Sequence, residues 1–113
     1  RVKYFRNVVD RFEKQEANPV LPAEIHVIRI GDIAIATNRF ELFLDYGQRI
    51  RARSKAVQTF VVQLAGDATY LPTQKAVEAQ TYGAGVSACL VGPEGGQVLV
   101  EETVKSINRM FID

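Results

Sequence analysis

A chain of 113 residues and 12.6 kDa has room for one ordinary domain and little more. Fourteen basic residues against thirteen acidic ones leave a formal charge of +1, too little excess for binding driven by phosphate neutralisation, so nucleic acid is not an expected partner. No apolar run is long enough for a transmembrane helix, and one cysteine with one histidine excludes both an internal disulfide framework and an all-Cys/His zinc site.

The first residues, Arg1-Val2-Lys3-Tyr4-Phe5, form neither a signal peptide nor a methionine start and are expected to be the cut end of something longer. Residues 1–17 set Val2, Phe5, Val8, Val9 and Phe12 at helical spacing between charges, which predicts an amphipathic helix with a narrow apolar stripe. Asn18-Pro19 stops it, because proline disfavours helix in the residue before it, and residues 18–23 become an extended connector.

Residues 24–113 form the predicted core. The β-branched runs Ile25–Ile30 and Ile33–Thr37 flank Gly31-Asp32, a pair suited to a tight hairpin. Both runs are almost continuously apolar, which predicts strands covered on both faces. Asn38 with Glu41 three positions later has the spacing of a capped helix start, and a helix to about Arg53 would turn Phe43, Tyr46, Gly47 and Ile50 to one side. Residues 57–65 predict a third strand and 66–72 a loop, with Thr73 capping a short helix through Gln80. Five of the eight glycines fall in residues 81–96, which predicts irregular chain with one short strand near Ser87–Val91. A last helix from about Gly96 carries Val100, Val104, Ile107 and Phe111. The order α-β-β-α-β-(α)-α predicts an α/β fold, with α+β as the alternative. A small mixed sheet should carry helices packed on it, and its strand–helix–strand crossover should make a parallel pair.

Several side chains could carry chemistry. Glu41 either caps its helix or stands at the C-terminal edge of a strand, where open α/β sheets bind ligands. Tyr70 should project over the same edge, or simply pack its ring; Tyr82, among glycines, has the same two options. His26, inside a strand and without a second ligand nearby, is expected to be a satisfied sheet residue. Cys89, with nothing cationic beside it in sequence, is expected to be a small buried hydrophobe. Asp45 and Arg49 have i,i+4 spacing, and Gly92-Pro93-Glu94-Gly95-Gly96 suits a turn better than an anion cradle, since it lacks the P-loop lysine.

Taken as an ordered series, these segments resemble a known family. Gly31–Thr37 leading into Phe40-Glu41-Leu42-Phe43 and Gly47-Gln48-Arg49-Ile50 resembles the end of the catalytic domain of neutral/alkaline ceramidases, closest to bacterial ceramidase-like proteins. Val61–Ala65 through Tyr70-Leu71-Pro72-Thr73, then Ala79-Gln80-Thr81-Tyr82 and the closing helix from Gly92 to Phe111, continue in register, so that the likeness runs from about Leu21 onward.

The resemblance implies the C-terminal portion of a larger zinc-dependent amidase domain, which hydrolyses the N-acyl bond of ceramide to sphingosine and fatty acid in lipid metabolism. It implies that Glu41 and Tyr70 are zinc ligands, that Tyr82 helps hold the scissile carbonyl, and that two histidines and any nucleophile come from upstream. It further implies the upstream part of the same domain as partner, a ceramide-like lipid or other amide as substrate, and an extracytoplasmic or membrane-associated setting. Such a fragment would be inactive alone. A carboxylate is an ordinary zinc ligand, whereas a phenol titrating near 10 must have its pKa depressed by the metal. The chain departs from the family in having Asn38, Arg39, Phe40 and Phe43 around the glutamate and Asp67 three positions before Tyr70. A small stand-alone α/β binding or assembly module without catalysis is the competing expectation, with a homo-oligomer as one form of it.

Overall fold

The computed structural model describes residues 2–17, 19–67 and 69–112, with side chains from residue 5 onward. The Val2 side chain and the helix stop at Asn18 therefore lie outside the described residues. Helix α1 spans Val2–Lys14. Strands β1 (His26–Ile30) and β2 (Ile33–Thr37) form the expected hairpin around Gly31, whose φ of +59° suits a residue without a Cβ. Next come β3 (Glu41–Leu42), α2 (Leu44–Arg53), β4 (Gln58–Val62), β5 (Tyr70–Leu71), α3 (Gln74–Glu78) and α4 (Pro93–Arg109). The result is an α/β fold with a small mixed sheet, as the pattern of runs predicts.

The main sheet has the order β1-β2-β4. Strand β1 pairs antiparallel with β2, and β4 returns parallel to β2 after α2, with Ile35 opposite both Ile28 and Phe60. Ala34 and Ala36 leave space for helices over one face of β2. There α2 and α4 bring Tyr46, Ile50, Leu99, Val100, Val104 and Ile107 into a single core that also takes in Phe40 and Leu71. The helices approach closely at Gly96, where an added Cβ would lie 2.2 Å from the Tyr46 ring and hydroxyl. That hydroxyl donates to the Pro72 carbonyl at 2.7 Å, tying α2 to the chain after β5. Burial pushes the Tyr46 phenol above its ordinary pKa, and Arg49 pulls it the other way.

Several local expectations are corrected. Residues 41–42 are strand, not helix. Asn38 is buried and its Oδ1 accepts from the Phe40 amide at 3.0 Å, closing a turn instead of capping a helix. The Glu41 amide donates to the Thr69 carbonyl at 2.9 Å, and α2 starts only at Leu44, with Phe43 as its N-cap. A ladder contact far along the chain thus overrides a local capping pattern. The segment read as loop contains β5. Residues 87–91 form a turn, with the Ala88 amide on the Gly85 carbonyl, in place of a strand. Proline fits the first turn of a helix, so α4 starts at Pro93, ahead of Gly96. Thr73 does cap α3, its hydroxyl accepting from the Ala76 amide at 3.1 Å.

The expectation of strands covered on both faces also fails. Ile28, Ile30, Ile33, Phe60 and Val62 share the face away from α2 and α4, and all are exposed. β-Branched residues suit strands whether or not anything covers them.

On the outer side of the helices, Arg53 makes a bidentate pair with Glu101, at 2.6 and 2.9 Å. The hydrogen bonds from Arg53 hold the Glu101 carboxyl below its ordinary pKa, against a smaller opposing effect of burial. A carboxyl depressed on folding contributes stability above its unfolded pKa, and loses that contribution as pH falls through the folded value. Glu101→Gln should therefore destabilise the chain slightly at neutral pH. In urea titrations the difference from the parent should fade below about pH 4, and shrink in high salt.

Candidate metal site

Glu41 and Tyr70 come together because β3 and β5 pair in parallel, Glu41 opposite Tyr70 and Leu42 opposite Leu71. The ladder is pinned on both sides of the pair, by the Glu41 amide on Thr69 O at 2.9 Å and the Phe43 amide on Leu71 O at 3.4 Å. Paired residues of a ladder point their side chains to the same side, about 5 Å apart. Buried Leu71 anchors β5 in the core, while Tyr70 faces the other way and is half-buried.

Tyr82 completes the cluster. Its ring meets Tyr70 edge-on with centroids 5.7 Å apart, and Phe43 meets Tyr70 from another side at 6.2 Å. Tyr82 is 88% exposed, so its hydroxyl is open to anything that approaches Tyr70. The Tyr70 phenol is raised above its ordinary pKa, first by desolvation, then by the neighbouring Tyr82 hydroxyl and the Glu41 carboxylate. Without a cation, Tyr70 is thus held as a neutral phenol beside a carboxylate. A cation placed between them would reverse the sign of that effect.

Gly83 is the supporting residue that sequence reasoning missed. Its φ is +83°, and a Cβ there would stand 3.0 Å from the Tyr70 ring, so the backbone passes flat against the phenol. The only sequence signal was a glycine next to a tyrosine. The Tyr70 amide is held as well, donating to Ala88 O at 3.2 Å. The corrected strand at 41–42 also removes the capping role considered for Glu41, because the helix starts beyond it.

The other candidates do not join this cluster. His26 is exposed on the sheet and pairs with Glu24 at 2.8 Å. Cys89 is not free of cationic neighbours, since Arg11 donates to its carbonyl at 3.0 Å. Burial nevertheless raises the Cys89 thiol by more than Arg11 lowers it, which makes it a poor nucleophile. Arg49 donates to Gln97 on α4. The Gly92–Gly96 segment, expected to be a turn, is instead the start of α4: Gly92 is the N-cap, Gly95 and Gly96 are helical, and Glu94 supplies negative charge in the first helical turn. Among the described residues, no group of three or more His, Cys, Asp or Glu side chains could hold a metal. Glu41 and Tyr70 are two oxygen-bearing side chains on paired residues of one short ladder.

Comparison with known proteins gives no match, whether to a family model, a curated protein or a solved structure.

Proposed function

We propose that this chain is the C-terminal part of a zinc-dependent amide hydrolase resembling neutral ceramidase, in which Glu41 and Tyr70 are two of the zinc ligands. The observation that carries the proposal is the Glu41–Tyr70 ladder pair, with Tyr82 against the phenol. Two residues 29 positions apart in sequence share one side of a two-residue ladder. One ion about 2 Å from each donor can bridge such a pair.

Zinc bound there would supply Lewis-acid polarisation of the amide carbonyl. Glu41 would contribute negative charge and Tyr70 a phenol oxygen. The exposed Tyr82 hydroxyl would donate a hydrogen bond to the substrate carbonyl. Gly83 and Phe43 keep the Tyr70 ring in one orientation. The histidines and any nucleophile would come from the upstream part of the domain, and the substrate would be a ceramide-like lipid or another amide.

The test is spectroscopic and needs no turnover. Zinc added to the chain should bind more weakly than micromolar and produce the ultraviolet difference band of tyrosinate. The band should vanish in Tyr70→Phe, weaken about tenfold or more in apparent affinity in Glu41→Ala, and persist in Tyr82→Phe. Tight zinc binding untouched by Glu41→Ala would refute the shared site.

The competing function, a binding or assembly module without catalysis, is favoured by a different observation. The outer face of the main sheet is apolar and open.

A further inference from the structure

Two apolar surfaces of this chain lie open. On the outer face of the main sheet, Ile28, Ile30, Ile33, Phe60 and Val62 are 37–61% exposed, and the ladder register sets them side by side. On α1, Phe5, Val9 and Phe12 are 53–70% exposed. Their spacing puts them on one stripe of the helix.

The helix is lightly seated on its own body. Arg11 holds it through the carbonyls of Cys89 and Val86. Between α1 and the 86–95 segment lies a groove of about 1340 Å³, lined by Val8, Phe12, Leu21, Thr69 and Cys89 among others. The Thr69 hydroxyl is buried without a hydrogen-bond partner. The chain extends 52 × 29 × 20 Å with a radius of gyration of 15.5 Å. A compact body of this length would come nearer 13 Å. Eleven residues separate Lys14 from His26. Extended, that tether reaches about 35 Å.

Area decides between possible occupants. Taking about 100 Å² for a whole aliphatic side chain and about 200 Å² for an aromatic one, the sheet face offers roughly 300 Å² of apolar surface and the α1 stripe about as much. A standard interface buries about 800 Å² per partner, of which roughly 450 Å² is apolar. Two sheet faces pressed together fall short of that, whereas sheet face and stripe used together exceed it. Beyond its His26 end, which pairs with Glu24, the sheet face carries no charged side chain to oppose an apolar helix, and helix on sheet is the layer missing from this side of the fold.

We propose that the open sheet face is an interface for a second copy of this chain, occupied by the α1 helix that the two copies exchange. The contact is isologous, each copy giving its helix and receiving its partner's. It does not depend on the zinc site, since neither Glu41 nor Tyr70 lies on these surfaces.

Sedimentation equilibrium over roughly 1–300 µM tests it. The parent should be a dimer. Phe60→Glu or Ile28→Glu on the sheet, and Phe5→Glu on the helix, should each raise the dissociation constant about tenfold or more, with unchanged far-ultraviolet circular dichroism. A mixture of Phe60→Glu and Phe5→Glu chains should then dimerise more strongly than either alone, because one intact helix meets one intact sheet. A monomeric parent, a dimer indifferent to Phe5→Glu, or a mixture without recovery would each overturn the exchange.

Discussion

Gly96→Ala is expected to lower stability by about 3 kcal/mol, or roughly 12–18 °C in melting temperature. Two effects oppose one another at this position. Replacing a helical glycine with alanine ordinarily gains up to about 1 kcal/mol in backbone propensity. Against that, the new methyl would stand 2.2 Å from the ring and hydroxyl of Tyr46, inside any permissible contact. Tyr46 cannot swing aside, because its ring is buried and its hydroxyl is held by Pro72 O. The helices must separate or the tyrosine must leave the core, and either costs more than propensity returns.

Gly95→Ala supplies the contrast. There the obstruction is the tip of the half-buried Val91 side chain, which can rotate away, so the change should stay within about 1 kcal/mol of the parent. Thermal unfolding followed by circular dichroism distinguishes the two. Tyr46→Leu placed on Gly96→Ala should cost less than the two changes added together, because the smaller side chain removes the clash. An unaltered melting temperature for Gly96→Ala would contradict the close approach of α2 and α4.

Leu71→Ala is expected to cost about 3–4 kcal/mol and to disturb Tyr70 as well. Leu71 is fully buried and is the residue through which β5 grips the core. Truncating it leaves a cavity beneath a strand only two residues long, with little else to hold the ladder to Glu41. Ile107→Ala, also fully buried but near the far end of α4, should cost a similar amount of stability. Under conditions where both variants are folded, the zinc-induced tyrosinate band should weaken in Leu71→Ala and survive in Ile107→Ala. Equal losses in both would mean that β5 does not depend on Leu71 for its position.

The parts legible in the sequence were those whose cause is local. The hairpin follows from β-branched runs around Gly31-Asp32, the cap of α3 from Thr73, and α4 from the spacing of Val100, Val104 and Ile107. Glu41 and Tyr70 were expected over one edge, but the strand ladder that joins them was not foreseen. Asn38 and Glu41 satisfy a helix-capping spacing, and nothing near them in sequence announces a strand partner at Tyr70. The open sheet face was illegible for another reason. An apolar strand records what its side chains prefer, not whether a partner is there to cover them.

The β3–β5 ladder has a consequence for how this region can vary. Side chains alternate along a strand, so its register takes whole-residue values only. A deletion or insertion in residues 63–69 that shifted the pairing by one position would put Phe40 or Leu42 opposite Tyr70. Glu41 would then lie out of line with the phenol, while the β1-β2-β4 sheet and its helices could persist unchanged. Loop length here is therefore not neutral filler: it works as a counter that sets which side chain meets Tyr70.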